Sequence, residues 1–323
     1  MFPICCMHAD TISVLFKEKC GSLAENNLQV DLKKLKIGNY ILQAFAMFIY
    51  LKQEDPYGYL LKMLDYFDKE LEGNKDKIGL IKNYNDIITN INNNKLSALL
   101  TVEEGGMIDS LDKLIYLYNR GVRLITLTWN FDNVIGSCNK TTNDIGLSQY
   151  GLQFIKKMEE LGIIIDVSHL SDKGFWDVYN NTKKPFVASH SNSRKVTDHK
   201  RNLTDEMIKA IASRNGVIGL NFCPSFVSDK DFMYIDDIIK HALHIIEVGG
   251  IDVLAFGTDF DGIPPKTEVK DASEMQIFYH RFKECGLTDI EIEKIFYKNT
   301  LRVINEVLGE KSWLKITKNL KNF

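Results

Sequence analysis

Eight short apolar runs, each followed by an amphipathic stretch, set the strongest limit on what this chain can fold into. The runs are Ile4–Met7, Tyr40–Phe48, Ala98–Val102, Leu124–Leu127, Ile163–Val167, Phe186–Ala188, Val217–Leu220 and Val253–Phe256. Helical periodicity occupies the intervals, as in Tyr57–Leu71, Leu111–Tyr118, Gln149–Leu161, Thr204–Ser213, Tyr234–Val248 and Thr288–Leu308. The last of these opens with Thr288-Asp-Ile-Glu291, a capping-box pattern. Runs without apolar/polar alternation suit strands buried on both faces, as in parallel sheets. The expected fold is therefore α/β, a single (β/α)8 TIM-type barrel. An open doubly wound sheet is the rival, and periodicity alone does not separate the two. Residues 17–36 and the loop 130–147 carry little pattern.

Length fits one barrel as well as two average domains: the chain has 323 residues, and barrels of about 200–400 form one unit. A formal charge of −3 gives no electrostatic case for nucleic acid or an anionic membrane. The longest apolar segment, Tyr40–Leu51, is too short for a bilayer, and the first residues lack the basic and apolar regions of a signal peptide. A cytoplasmic location is expected. The six cysteines include no C-x-x-C pair and read as reduced thiols, so the sequons at Asn139, Asn180 and Asn202 carry no weight.

Chemistry collects where the runs end. The first leads into His8-Ala-Asp10, the third into Glu103-Glu104-Gly-Gly, the fifth into Asp166-Val-Ser-His169, the sixth into Ser189-His190, and the eighth into Thr258-Asp259-Phe-Asp261-Gly. Side chains two apart on a strand face the same way, so His8 and Asp10 can converge. A barrel brings all strand C-termini to one rim, where active sites form. Imidazole and carboxylate are ligands for zinc and related ions. The pattern thus predicts a metal site, with a metal-held hydroxide attacking a polarised carbonyl. Because ligands come from both ends of the chain, residues 1–323 read as one domain. His241 and His244, at i and i+3, read as the solvated face of a surface helix, and His199 and His280 as structural.

In order and spacing these motifs resemble the membrane dipeptidase (renal dipeptidase) family of dinuclear zinc peptidases, as a soluble bacterial-type member. The likeness runs from about Ile4 to Leu308 through His8-Ala-Asp10-Thr, Gln29-Val-Asp-Leu, Val102-Glu103, Gly121-Val-Arg-Leu-Ile-Thr-Leu-Thr128, Asp166-Val-Ser-His169, Ser189-His190-Ser191, Arg201-Asn202, Asn221-Phe222 and Gly257-Thr-Asp259-Phe-Asp-Gly262. The resemblance implies two Zn2+ ions, one on His8, Asp10 and Glu103, the other on His169 and His190, with Glu103 bridging. It implies that a hydroxide between the metals attacks the peptide bond of a dipeptide, C-terminal D-residues included. Asp259 would shuttle the proton and Arg201 would pair with the substrate carboxylate. The choice of Glu103 over Glu104 rests on the family's Val-Glu. A homodimer is the family habit.

Two departures stand out. Trp129 occupies the position of a family His that helps hold the substrate carbonyl, and Cys223 follows Asn221-Phe222 where the family often has Tyr. They motivate an alternative substrate class of N-acyl amino acids, lactams or cyclic amides. A non-catalytic metal- or peptide-binding barrel is the third reading; a retained Asp259 argues against it.

Overall fold

The computed structural model describes residues 1–309. Its strands are β1 (Ile4–Cys6), β2 (Tyr40–Phe48), β3 (Ile78–Leu80), β4 (Leu96–Glu103), β5 (Leu124–Thr126), β6 (Ile164–Asp166), β7 (Ile218–Leu220) and β8 (Leu254–Phe256). All pairings between these strands are parallel, in the order β6-β5-β4-β2-β1-β8-β7. Residues 187–188 fill the gap between the two ends. Val187 bridges Asp166, Ala188 bridges Ile218, and Val187 N and Ala188 N donate to Ile165 O and Val217 O at 2.9 and 3.0 Å. The ring therefore closes through eight positions, and each coincides with one of the eight apolar runs. The barrel expectation holds, and the open sheet is excluded.

Burial explains why the runs lack alternation. Every residue of β4 is buried, because one face fills the barrel interior and the other meets the surrounding helices. β3 was not legible: three residues, Ile-Gly-Leu, pair with the first part of β4 outside the ring, and β5 takes over along its last part.

The helices expected from periodicity form with small shifts in their ends, for example Pro56–Gly73, Gln149–Leu161 and Ile235–Gly249. The Thr288/Glu291 capping box is made in both directions. The segment expected as one helix after it contains a π-helical turn, Lys294–Lys298, between two α-helical parts. One expectation needs correction. His241 is fully buried, accepting from Ser193 N at 3.1 Å and lying 2.8 Å from Val227 O, while His244 pairs with Asp205 at 2.8 Å. His241 thus faces the packed interior, and half-buried His244 faces the start of the helix Asp205–Ser213. The six cysteines are free, and no helix among the described residues is long and apolar enough to cross a membrane.

Candidate metal centre

After a bend at Met7 the chain regains strand neighbours at Ala9, with Asp10 N bonded to Phe260 O and Ala46 N to Ala9 O. His8 and Asp10 therefore share a face, and His8 Nε2 lies 3.2 Å from Asp10 Oδ2. Glu103 is the last residue of β4, in register with Phe48 of β2 and Thr126 of β5. Its two oxygens look in different directions. Oε2 lies 3.4 Å from His8 Nε2; Oε1 lies 3.2 Å from His169 Nε2 and 3.5 Å from His190 Nε2. The last two nitrogens are 3.1 Å apart. Asp259 closes the group, its Oδ1 3.8 Å from His8 Nε2 and its Oδ2 accepting from Asn221 Nδ2 at 2.9 Å.

Hydrogen bonds behind the imidazoles fix which nitrogen is free. Ser189 Oγ gives its one proton to Asp166 Oδ2 at 2.6 Å, so at 2.7 Å it accepts from His190 Nδ1. His169 Nδ1 likewise donates to Asn130 Oδ1 at 3.3 Å. Both rings then turn an Nε2 lone pair toward Glu103 Oε1. Three acceptors without a proton among them converge at 3.1–3.5 Å. Without a cation that arrangement is repulsive. Ligand atoms about 2.0–2.1 Å from a tetrahedral ion lie roughly 3.3–3.4 Å apart, so the spacing suits one. On the other side, Asp10 Oδ1 is buried with no hydrogen-bond partner, a further acceptor left open. The residues present thus fit two cations sharing Glu103.

Electrostatics point the same way. Three buried carboxylates, Asp10, Glu103 and Asp259, stand together, and an uncompensated cluster of this kind is costly. Burial, with the charges of Asp10 and Glu103, pushes the Asp259 carboxyl up to about 7 against the pull of His8 and Arg201. Glu103 is also buried, but the His8 charge holds it well below the usual carboxylate range. Burial lowers His169 to about 4, assisted by Arg201, and burial with the His8 charge lowers His190 as well. Neutral imidazoles keep their lone pairs for a metal. His8 is the exception, because Glu103 and Asp10 outweigh its burial and raise it.

The remaining expected residues lie apart from this cluster. Trp129 borders a cavity of about 680 Å³ whose floor includes Asp10, Glu103, His169 and Asp259. Arg201 is buried behind His190, donating to His190 O at 3.1 Å and Ser191 Oγ at 3.4 Å, with its Nε unpartnered. Among the described residues lining that cavity, Arg201 does not appear.

Asp166, Asn221 and Glu104 stand in motifs read from the sequence, but no role is assigned to them there. Asp166 accepts from Ser168 N, Ser189 N, Ser189 Oγ and Thr126 Oγ1, and so locks the His190 tautomer. Its place two residues before Ser168 at a strand end was the available signal.

A closed parallel barrel that gathers buried imidazoles and carboxylates at one rim defines the class of barrel metallohydrolases. The family model described as membrane dipeptidase (peptidase family M19) matches residues 2–314. An uncharacterised dipeptidase of Schizosaccharomyces pombe is 33% identical over 306 residues, covering 86% of this chain and 73% of its own. Among solved structures, the dipeptidase AC, a metallopeptidase of family M19, superposes with a TM-score of 0.88 at 22% identity, over 96% of this chain and 99% of its own. A metallopeptidase of Rhodobacter sphaeroides, liganded with a phosphinate mimic of the dipeptide L-Ala-D-Ala, gives 0.87 at 21% identity, over 95% and 99%. The chain belongs to the membrane dipeptidase family, a family of metallopeptidases.

Proposed function

We propose that the protein is a dizinc dipeptidase, and that residues 1–323 act as one hydrolase domain. The observation that carries the reading is the bidirectional Glu103, whose two oxygens face His8 on one side and His169 with His190 on the other. His8, Asp10 and Glu103 would hold one ion, and Glu103, His169 and His190 the second. When bound, the pair supplies Lewis-acid polarisation of the peptide carbonyl and acidifies the attacking water.

The chain's own groups then do the rest. Asp259 Oδ1, fixed by the Asn221 bond to its other oxygen, takes a proton from the water as the new C–O bond forms. It returns that proton to the amine nitrogen as the C–N bond breaks. A carboxyl poised near pH 7 can serve in both directions. Arg201 is proposed to attract the free carboxylate of the substrate through a guanidinium whose Nε has no partner. Trp129 stands at the cavity wall as an apolar substrate contact, since an indole N–H donates but does not titrate. The bound L-Ala-D-Ala mimic in the Rhodobacter relative supports extending the reading to C-terminal D-residues.

The test is a panel of dipeptides, including C-terminal D-residues, beside N-acyl amino acids, with zinc-loaded protein. Hydrolysis of dipeptides is expected; no cleavage, or clear preference for N-acyl amino acids, overturns the reading. Asp259→Asn is expected to keep its zinc and lose roughly 100- to 10,000-fold in kcat. Unchanged turnover removes Asp259 from the mechanism.

A further inference from the structure

We infer that this active site selects dipeptides with a large apolar or aromatic side chain, an inference that rests on the dipeptidase reading. Opposite the acidic floor, the cavity is walled by Val14, Phe48, Tyr50, Tyr59, Met63 and Trp129. They come from four places: the first helix (Thr11–Glu18), the end of β2 and its following turn, the helix Pro56–Gly73, and the residues after β5.

The rings of the wall brace one another before any ligand arrives. The Trp129 ring meets Phe48 edge-on at 4.9 Å and Tyr50 at 6.3 Å, and both Trp129 and Tyr50 lean on Phe131 at 5.8 and 5.7 Å. Lys52 Nζ caps Phe131 at 3.8 Å, and Trp129 N is tied to the buried Glu104 carboxylate at 3.0 Å. Pre-braced rings give up little conformational freedom when a ligand packs on them. The wall begins at the metal end, where Trp129 lies 6.3 Å from the His169 ring. A dipeptide with its scissile bond at the floor therefore has a side chain within reach of it.

Charge selects in the same sense. Away from the floor, the charged side chains lining the cavity are Lys17 and Glu18, which pair with each other at 3.0 Å. Asp261 is already engaged by Thr11 Oγ1 and Gln29 N, each at 2.6 Å. Beyond the acidic floor and the engaged Asp261, the described lining residues offer a charged side chain nothing but the mutually neutralised Lys17–Glu18 pair. An apolar wall recovers the full burial of an aromatic ring, whereas a charged side chain against it loses hydration without a partner.

The zinc-loaded full chain is assayed with Phe-, Trp- and Leu-containing dipeptides against Gly-Gly, Asp- and Lys-containing ones. Values of kcat/KM should favour the bulky apolar set by roughly 10- to 100-fold, the size expected for burying one such side chain. Trp129→Ala should reduce that ratio at least several-fold, with Gly-Gly as the reference. Tyr59→Ala carries the same readout if Trp129→Ala does not fold. Equal kcat/KM across the panel, or a ratio untouched by both variants, overturns the inference and leaves the dipeptidase reading standing. If no dipeptide is cleaved, that reading fails, and tryptophan fluorescence then decides the wall alone. A saturable change with Phe-Leu and none with Gly-Gly or Asp-Glu, lost in Trp129→Phe, supports it. Equal responses overturn it.

Discussion

At the end of β4, two adjacent carboxylates turn to opposite sides. Glu103 enters the metal-facing cluster, while Glu104, at φ 78°, turns away and is completely buried. Its carboxylate accepts from Gly106 N at 2.7 Å, from Trp129 N at 3.0 Å and from Asn133 Nδ2 at 2.5 Å. Burial pushes its carboxyl up to about 7 against these three bonds. Glu104→Ala leaves three donors without an acceptor, and we expect a loss of about 2–4 kcal/mol in urea unfolding. Asn130, next in chain to Trp129, supports His169, so weaker zinc retention should accompany that loss. A variant that unfolds with the wild type would show that Glu104 holds nothing. Which of the two glutamates faces the cluster was not legible from parity, because β4 is buried on both faces. Only the resemblance favoured Glu103. His8 and Asp10 were legible, because an extended chain places alternate residues on one side.

At the scale of elements, the ring closes where three backbones crowd together. A Cβ on Gly257 would stand 1.7 Å from Ser189 O, and one on Gly219 would stand 2.0 Å from the same atom. Glycine at these points lets residues 187–190 dock against β7 and β8, which sets His190 beside Glu103. Gly257→Ala should cost about 3 kcal/mol or more and lower zinc content, read by thermal unfolding and metal analysis. Gly73→Ala, with nothing within 4 Å of its Cβ, is the control and should stay within roughly 1 kcal/mol of wild type. Equal stability of the two variants would contradict this account of closure. The eight runs indicated parallel strands buried on both faces, and the bridges of residues 187–188 are what separate a closed ring from an open sheet. β3 escaped because three residues with a central glycine carry no periodicity. His241 escaped for a different reason: its partners Ser193 and Val227 are remote in sequence, and no local pattern announces them.

For the molecule as a whole, His241 also ties stability to pH. Burial lowers its imidazole to about 4; His244 and Lys240 add to this, while Asp237 and the Val227 carbonyl oppose it. The unfolded chain, with an ordinary histidine near 6.5, takes up the proton first as pH falls. The contribution, about 3 kcal/mol, is complete above roughly pH 6.5 and lost between there and pH 4. Urea unfolding at pH 7.5 and pH 5 should show wild type losing about 2 kcal/mol more than His241→Gln over that interval. Parallel losses would remove His241 as the cause. The overall architecture and six converging residues, from His8 to Asp259, could be read from the order of motifs. The hydrogen bonds of Asp166 and Asn221 that fix their orientation could not, because they depend on strand neighbours far apart in sequence. The central claim, a two-ion site shared by Glu103, is tested most directly by zinc titration of chelator-stripped protein with dipeptide hydrolysis as the readout. Activity should rise until two equivalents are bound per chain and be lost with Glu103→Gln; full activity at one equivalent, or without metal, would contradict a shared two-ion site.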